Sequence, residues 1–280
     1  MRAMTPMLKL AALLRRLLPD QYVLAIYSTP RLANFLRGVL NLLAPSGEQL
    51  VKVAGGGLAG LRLWLNLRRE KYLWLGTYER WVQEAMAHYL RPGDWAWDIG
   101  AFIGYHTLFM WRLGASVVAL EPDPENFARL TANLEANRAH SVRALRLAAG
   151  EMQGRARLRR VTGHPSQTSV ESSDCGECNV VTLDSLAVIF RPPRLVKIDV
   201  EGAELEVLAG AVRVLREARP VWIVEVHGSV DPVADYFWRH GYQVRRVGKG
   251  AGVNAHLPGG PSHLLALPLG VGRGPSDSTQ

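Results

Sequence analysis

The chain has 280 residues, 48% hydrophobic and 21% charged, with a formal net charge of +8. That balance fits a globular protein able to bury a full core, as one large domain or one domain with an extension. Its two cysteines, Cys175 and Cys178, exclude a disulfide framework, and a lone Cys-x-x-Cys with only His164 nearby argues against zinc.

The positive charge favours contact with nucleic acid, anionic lipid, or phosphorylated and acidic substrates. No dense basic run appears, so an Arg-rich composition is the simpler explanation. Met7 to Leu18 is expected as an amphipathic helix, and Tyr22 to Leu43 as a second helical stretch punctuated by Pro30. Their Arg and Leu content would suit contact with a membrane surface through residues 1–43, although a helical cap on the main domain or on a second subunit is preferred. Lys9, Arg15 and Arg16 cut the first apolar run and no small-residue cleavage site follows, so no signal peptide is expected. No run reaches the ~20 apolar residues of a membrane-spanning helix. The cytoplasm is the expected location, with peripheral contact at the inner face of the membrane as the variant. Gly55-Gly56-Gly57 reads as a turn between short strands, with Leu61 to Leu67 as hairpin partner. It lacks the lysine and hydroxyl of a phosphate loop.

From Tyr78 helix and strand alternate. Glu79 to Tyr89 reads as helix, and Trp95 to Ile99 as a strand buried on both faces. Gly100 and Gly104 bracket the turn, and Tyr105 to Leu113 is the next helix, ended by Gly114. Ser116 to Leu120 is a strand, Asp123-Pro124-Glu125 a helix start, and Val142 to Leu147 a strand. Residues 150–190 break the alternation. Arg155, Arg157 and Arg159 mark a half-exposed strand, His164 to Cys178 reads as loop, and Val180-Val181 as strand. Leu195 to Val200, Glu204 to Arg216 and Val221 to Val226 then read as strand, helix and strand. Asp231-Pro232 opens a helix that closes at Gly241, and Tyr242 to Val247 with Leu264 to Leu267 form an antiparallel edge pair. The expected fold class is α/β: an open sheet with helices on both faces. Residues 1–75 would be a helical extension, 76–269 the main domain and 270–280 a disordered tail.

Asp98 ends the first strand of that domain and Glu121 follows the second. An acid about 20 residues beyond a glycine turn is placed to accept both hydroxyls of a ribose. Asp98 would repel a pyrophosphate and favour a cationic ligand part, such as the amino group or sulfonium of S-adenosylmethionine. The turn also lacks the second glycine of a dinucleotide fingerprint.

The chain resembles the FkbM family of S-adenosylmethionine-dependent methyltransferases. The matching strings are Gly76-x-Tyr78-Glu79, Arg91-Pro92-Gly93-Asp94, Asp98-Ile99-Gly100-Ala101-x-Ile103-Gly104-Tyr105 and Glu121-Pro122-x-Pro124. Thr182-Leu183-Asp184, Lys197 to Glu204 (Lys-Ile-Asp-Val-Glu-Gly-Ala-Glu), Leu208-x-Gly210 and Glu225-x-His227 follow in family order. The resemblance implies a class I, Rossmann-like sheet of seven strands with the last antiparallel, and methyl transfer to oxygen, often on a sugar or polyketide hydroxyl. By position it assigns Asp98, Gly100 and Gly104, with Ala101 beside them, to the methionine part of the cofactor. It assigns Glu121, with Pro122 beside it, to the ribose, and Leu147-Ala148 to the adenine wall. Phe102 stands where the family commonly carries Asn.

An acceptor alcohol must also lose its proton. Asp199, Glu201, Glu225 and His227 are expected at the carboxyl ends of adjacent central strands, with Asp199 near both cofactor and chemistry. His227 is the first choice of base because its ordinary pKa is nearest neutrality, with Asp199 or Glu225 orienting it. Alternatively these acids and His227 hold a divalent cation that acidifies a diol. Lys197 and Glu201 have a bland alternative as a structural ion pair, and His88 and His106 as surface or packing residues. The expected function is O-methylation of a sugar, glycolipid or secondary-metabolite hydroxyl, in a chain able to form a homo-oligomer. Its rivals are a membrane-surface or scaffold protein that retains the cofactor fold and, last, a nucleic-acid methyltransferase, for which no acceptor motif or aromatic-basic string is present.

Overall fold

A computed structural model describes residues 46–160, 168–172, 178–248 and 262–270, with four isolated positions before them. Apart from Thr29, Arg31 and Gly38, the expected helices before residue 44 and the membrane-contact segment 1–43 lie outside the described residues, as do His164, Cys175 and the tail beyond Gly270.

The described chain begins with a hairpin of β1 (Gln49–Lys52) and β2 (Arg62–Leu65), paired antiparallel with Leu50 opposite Trp64. A short helix, α1 (Lys71–Leu75), follows. The glycines between the strands do more than turn the chain. A Cβ on Gly56 would lie 2.2 Å from the Gly76 carbonyl oxygen, and one on Gly76 would lie 1.9 Å from that of Gly55. Both residues have positive φ, so two backbones press together where only glycine fits. Val51, Leu63 and Leu65 join one core with Leu108 and Met110 further along, so the hydrophobic core runs across the expected domain boundary at Gly76.

The main sheet uses β3 (Trp95–Ile99), β4 (Ser116–Leu120), β5 (Val142–Leu145), β10 (Leu195–Ile198), β11 (Val221–Val226), β12 (Tyr242–Val247) and β13 (Ser262–Pro268). Their spatial order is β12-β13-β11-β10-β3-β4-β5. The inner strands run parallel, whereas β13 is antiparallel to both β11 and β12. This is the class I methyltransferase sheet that the resemblance implies. Alternate strand residues feed two cores: Ala96, Val117 and Ile223 on one face, and Trp97, Val118 and Val224 on the other. Burial on both faces is why these strands read as continuous apolar runs. Helices α2 (Arg80–Tyr89), α3 (Tyr105–Arg112) and α4 (Pro124–Ala136) contribute to the first core. Helices α5 (Leu183–Ile189), α6 (Glu204–Ala209) and α7 (Val230–Arg239) contribute to the second. Asp123 caps α4 by accepting from the amides of Glu125 (2.9 Å) and Asn126 (3.0 Å), as its Asp-Pro-Glu signal predicts.

The last two strands do form the expected antiparallel pair at one edge, with β12 outermost and β13 inserted between it and β11. Several other expectations change. The strand expected over Val142 to Leu147 divides: β5 stays in the main sheet, and β6 (Leu147–Ala149) joins a second sheet with β7 (Gly154–Arg160), β8 (Thr168–Ser172) and β9 (Cys178–Val181). Thr168–Ser172, expected as loop, pairs antiparallel with β7. Cys178, expected at the end of a loop, instead begins β9 and is buried, its thiol facing the Ala156 carbonyl at 3.6 Å. Helix α5 went unforeseen although Thr182 caps it by accepting from the Ser185 amide at 3.0 Å. The helix expected over Glu204 to Arg216 ends at Ala209. Asp184 then accepts from the amides of Arg213 and Val214, both at 2.9 Å, and a π-helical turn covers Val214–Ala218. Among the described residues no helix is long and apolar enough to cross a membrane.

Candidate active site

A crevice opens where β3, β4, β6, β10 and β11 end, at the carboxyl edge where open α/β sheets bind ligands. Asp98, Gly100, Ala101, Glu121, Pro122, Leu147, Ala148 and Asp199 line it, as do Glu225 and His227. Gly104 does not. It turns the chain at the N-cap of α3 with φ +86°, facing Leu130.

The turn after β3 is held by backbone. The amides of Gly100 and Ala101 donate to the Leu120 carbonyl at 2.9 and 2.8 Å. Gly100 has φ +84°, and a Cβ there would lie 1.8 Å from the Asp199 carbonyl oxygen. Its glycine is therefore demanded by the neighbouring strand end as well as by any ligand, a tertiary contact that a lone motif does not reveal. Phe102 lies in the left-handed region at φ +50°, where Asn is better tolerated than an aromatic residue. Its amide donates to Glu121 Oε2 at 2.8 Å, and the Asp123 amide donates to Glu121 Oε1 at 3.0 Å. Burial pushes the Glu121 carboxyl up to about 7 despite these bonds.

Asp98 is wholly buried. Its Oδ2 accepts from the Thr107 hydroxyl at 2.5 Å, while Oδ1 has no hydrogen-bond partner. Burial raises its pKa, against the pull of Lys197, whose Nζ lies 4.0 Å from Oδ1. Lys197 is also buried and donates to Asp199 Oδ2 at 3.0 Å. The structural pair for Lys197 is thus Asp199, not Glu201. Burial alone would lower the Lys197 pKa, but the facing carboxylates of Asp199 and Asp98 outweigh it and keep the ammonium charged.

At the other end of the crevice, His227 sits among four carboxylates. Its Nδ1 lies 3.1 Å from Glu204 Oε1, and its Nε2 lies 3.3 Å from Glu201, 3.7 Å from Glu225 and 3.8 Å from Asp199. Burial acts to lower its pKa, but Glu204 and then the other acids raise it to about 9. The imidazole is therefore charged at neutral pH, which removes the ground on which it was expected to be the base. Glu201 moves the other way for an acid: burial, then the Asp199 charge, lifts it to about 7 against the pull of His227. Glu204, rather than Asp199 or Glu225, makes the hydrogen bond that orients His227. It closes the Lys-Ile-Asp-Val-Glu-Gly-Ala-Glu string, where its role could have been sought. Asp199, Glu201 and His227 each offer a donor atom within 4.8 Å of the others, an arrangement compatible with the cation alternative.

Tyr78, His106, Lys197 and Glu201 also line the crevice. Tyr78 was matched only as part of a string. His106 is buried rather than on the surface, unlike His88, which is exposed. His263 is buried behind Glu225, its Nε2 3.3 Å from Glu225 Oε2.

A curated relative, the hexuronic acid methyltransferase AglP of Haloferax volcanii, is 35% identical over 147 residues. The match covers 50% of this chain and 58% of that protein, so the chain spans little more than half of its relative's length. Among solved structures, methyltransferase FkbM from Methylobacillus flagellatus KT is 19% identical with a TM-score of 0.45, covering 86% of this chain and 60% of that one. The precorrin-6y C5,15-methyltransferase of Geobacter metallireducens GS-15 is 18% identical with a TM-score of 0.42, covering 68% and 88%. The methyltransferase FkbM domain itself matches residues 98–244, more than half of the sequence and the span from Asp98 to the edge strand β12. The chain belongs to the FkbM methyltransferase family.

Proposed function

We propose that the chain is an S-adenosylmethionine-dependent O-methyltransferase acting on a sugar hydroxyl. The observation that carries the reading is one crevice with two chemically different ends. Glu121, Leu147 and Ala148 line one end, an acid beside apolar walls, which suits a ribose and an adenine. Asp199, Glu201, Glu225 and His227 line the other, which suits a polyhydroxylated acceptor. The cofactor, when bound, supplies an electrophilic methyl group beside a sulfonium charge. Asp98 fits it: the residue lines the crevice, and its buried Oδ1 has no hydrogen-bond partner of its own. The named substrate of the curated relative, a hexuronic acid, supports a sugar as acceptor class.

In this reading Gly100 and Ala101 let the reactants approach between the two ends, and positioning supplies much of the rate. The acceptor proton leaves to a carboxylate at the acidic end, Glu201 or Asp199. The imidazolium of His227, held by Glu204, donates a hydrogen bond to the acceptor and offsets the mutual repulsion of the acids. Glu225 backs His227 from β11. Calorimetry of the full chain with S-adenosylhomocysteine should show one binding event. Incubation with methyl-labelled S-adenosylmethionine and uronic acid-containing oligosaccharides should add label to a hydroxyl. Absence of binding sinks the cofactor assignment, and binding with no sugar labelled across neutral and acidic oligosaccharides sinks the acceptor class.

A further inference from the structure

Beneath the crevice, three side chains from distant parts of the chain converge out of solvent. Glu79 immediately precedes α2, Glu225 lies in β11, and His263 lies in β13 directly opposite Glu225 in the strand register. Each residue is at most 7% exposed. His263 Nε2 lies 3.3 Å from Glu225 Oε2 and 3.6 Å from Glu79 Oε2, and the donor atoms of the three residues lie within 4.8 Å of one another. All three facing atoms are buried, and they face one another as an ion-pair cluster whose geometry falls short of full hydrogen bonds. A buried acceptor or donor left this way is costly, and three around one point are rarer still.

We infer that Glu79, Glu225 and His263 form a buried three-ligand binding site for a divalent transition-metal ion, with a water or hydroxide as its fourth ligand. Metal–ligand bonds of ~2.0–2.1 Å in a tetrahedral site put neighbouring ligand atoms about 3.3–3.4 Å apart. The two separations from His263, 3.3 and 3.6 Å, are close to that edge, and the two carboxylates lie within 4.8 Å of each other, so an ion would draw them together. One imidazole and two carboxylates form a nitrogen–oxygen donor set suited to Zn2+ or Mn2+. Glu79 is not used as a helix cap. It occupies the N-cap position of α2, yet its carboxylate caps none of that helix's amides. The buried His106 Nε2, 3.5 Å from Glu79 Oε2 and also without full hydrogen-bond geometry, faces the same carboxylate oxygen and is placed to orient it. Binding would expel any proton held on His263 Nε2. Glu225 joins this site to the crevice, because its other oxygen lies 3.7 Å from His227 Nε2. The ion would thus pin the start of α2 to β11 and β13 and brace the acidic wall from behind.

The inference needs no methyl donor and is tested without one. The full chain, purified without a metal-affinity step and treated with a chelator, is titrated with Zn2+ by calorimetry and with Co2+ by visible absorption. One equivalent should bind, with intense Co2+ bands of low-coordinate geometry that Zn2+ abolishes. H263Q and E79Q should weaken binding roughly 100-fold or more, beyond the effect of an outer-shell change. H227Q should cost about 10-fold, clearly less than the ligand variants, since His227 touches Glu225 without ligating the ion. If either ligand variant fails to fold, the wild-type titration alone decides, read as stoichiometry and as a melting temperature that falls with chelator and recovers with Zn2+. No saturable equivalent in the wild type overturns the site. So does a pattern in which H227Q abolishes binding and H263Q retains it, which would move the ion to Asp199, Glu201 and His227.

Discussion

Replacing Glu121 with Gln should move stability and cofactor affinity in ways that depend on pH. The Glu121 carboxyl is held up at about 7 rather than its ordinary 4.5, chiefly by burial and also by the neighbouring Asp123 charge. A folded pKa above the unfolded one means the fold prefers the protonated acid. The associated stability is complete below about pH 4.5 and is lost as pH rises through 7. At about 1.4 kcal/mol per pKa unit, the loss across that window is on the order of 3 kcal/mol. Gln cannot titrate. Its amide also turns an NH2 toward either the Phe102 or the Asp123 amide, at a cost of about 1–3 kcal/mol. E121Q should therefore be clearly less stable than wild type at pH 5 and close the gap by pH 8. Cofactor binding should show the opposite sense. Ribose hydroxyls favour the carboxylate, so wild-type affinity should strengthen as pH rises through 7, while E121Q binds about 10–100-fold more weakly at pH 8 and with little pH dependence. Urea denaturation of both proteins at four pH values, paired with calorimetry using S-adenosylhomocysteine, measures both effects. Parallel stability profiles would refute the buried-acid reasoning, and equal affinities at pH 8 would remove Glu121 from the ribose site.

Two further substitutions probe the supports of the crevice. K197M leaves the fully buried Asp98 without its nearest cation and should cost about 3 kcal/mol in urea denaturation. Adding Asp98→Asn should restore part of that loss, and a single variant within 1 kcal/mol of wild type would show that the pair does not matter. Arg129 on α4 grips Glu70 with two hydrogen bonds of 2.8 and 2.7 Å, and Glu70 is buried. R129A should cost about 3 kcal/mol and raise protease sensitivity in the hairpin. Cleavage and stability like wild type would mean that the backbone contact at Gly56 and Gly76 suffices to dock it.

The sequence by itself determined the alternation of helix and strand, the Asp-Pro-Glu start of α4, the acid–glycine turn after β3, and the family, through strings in fixed order. These are local signals: hydrophobic period, caps and turn chemistry act within a few residues of where they are written. Tertiary structure decided the rest. Nothing near Leu264 says that β13 slips between β11 and β12, because strand order depends on partners distant along the chain. Gly100 reads in the sequence as a ligand contact, and only the fold adds that the Asp199 carbonyl stands against it. His227 looked neutral because a pKa is a sum over surroundings, and Glu204, Asp199, Glu201 and Glu225 meet around it only after β10 and β11 have paired. Glu79, Glu225 and His263 likewise have no common pattern in the chain. Their meeting is a consequence of the sheet, which brings β13 beside β11 and the start of α2 over both.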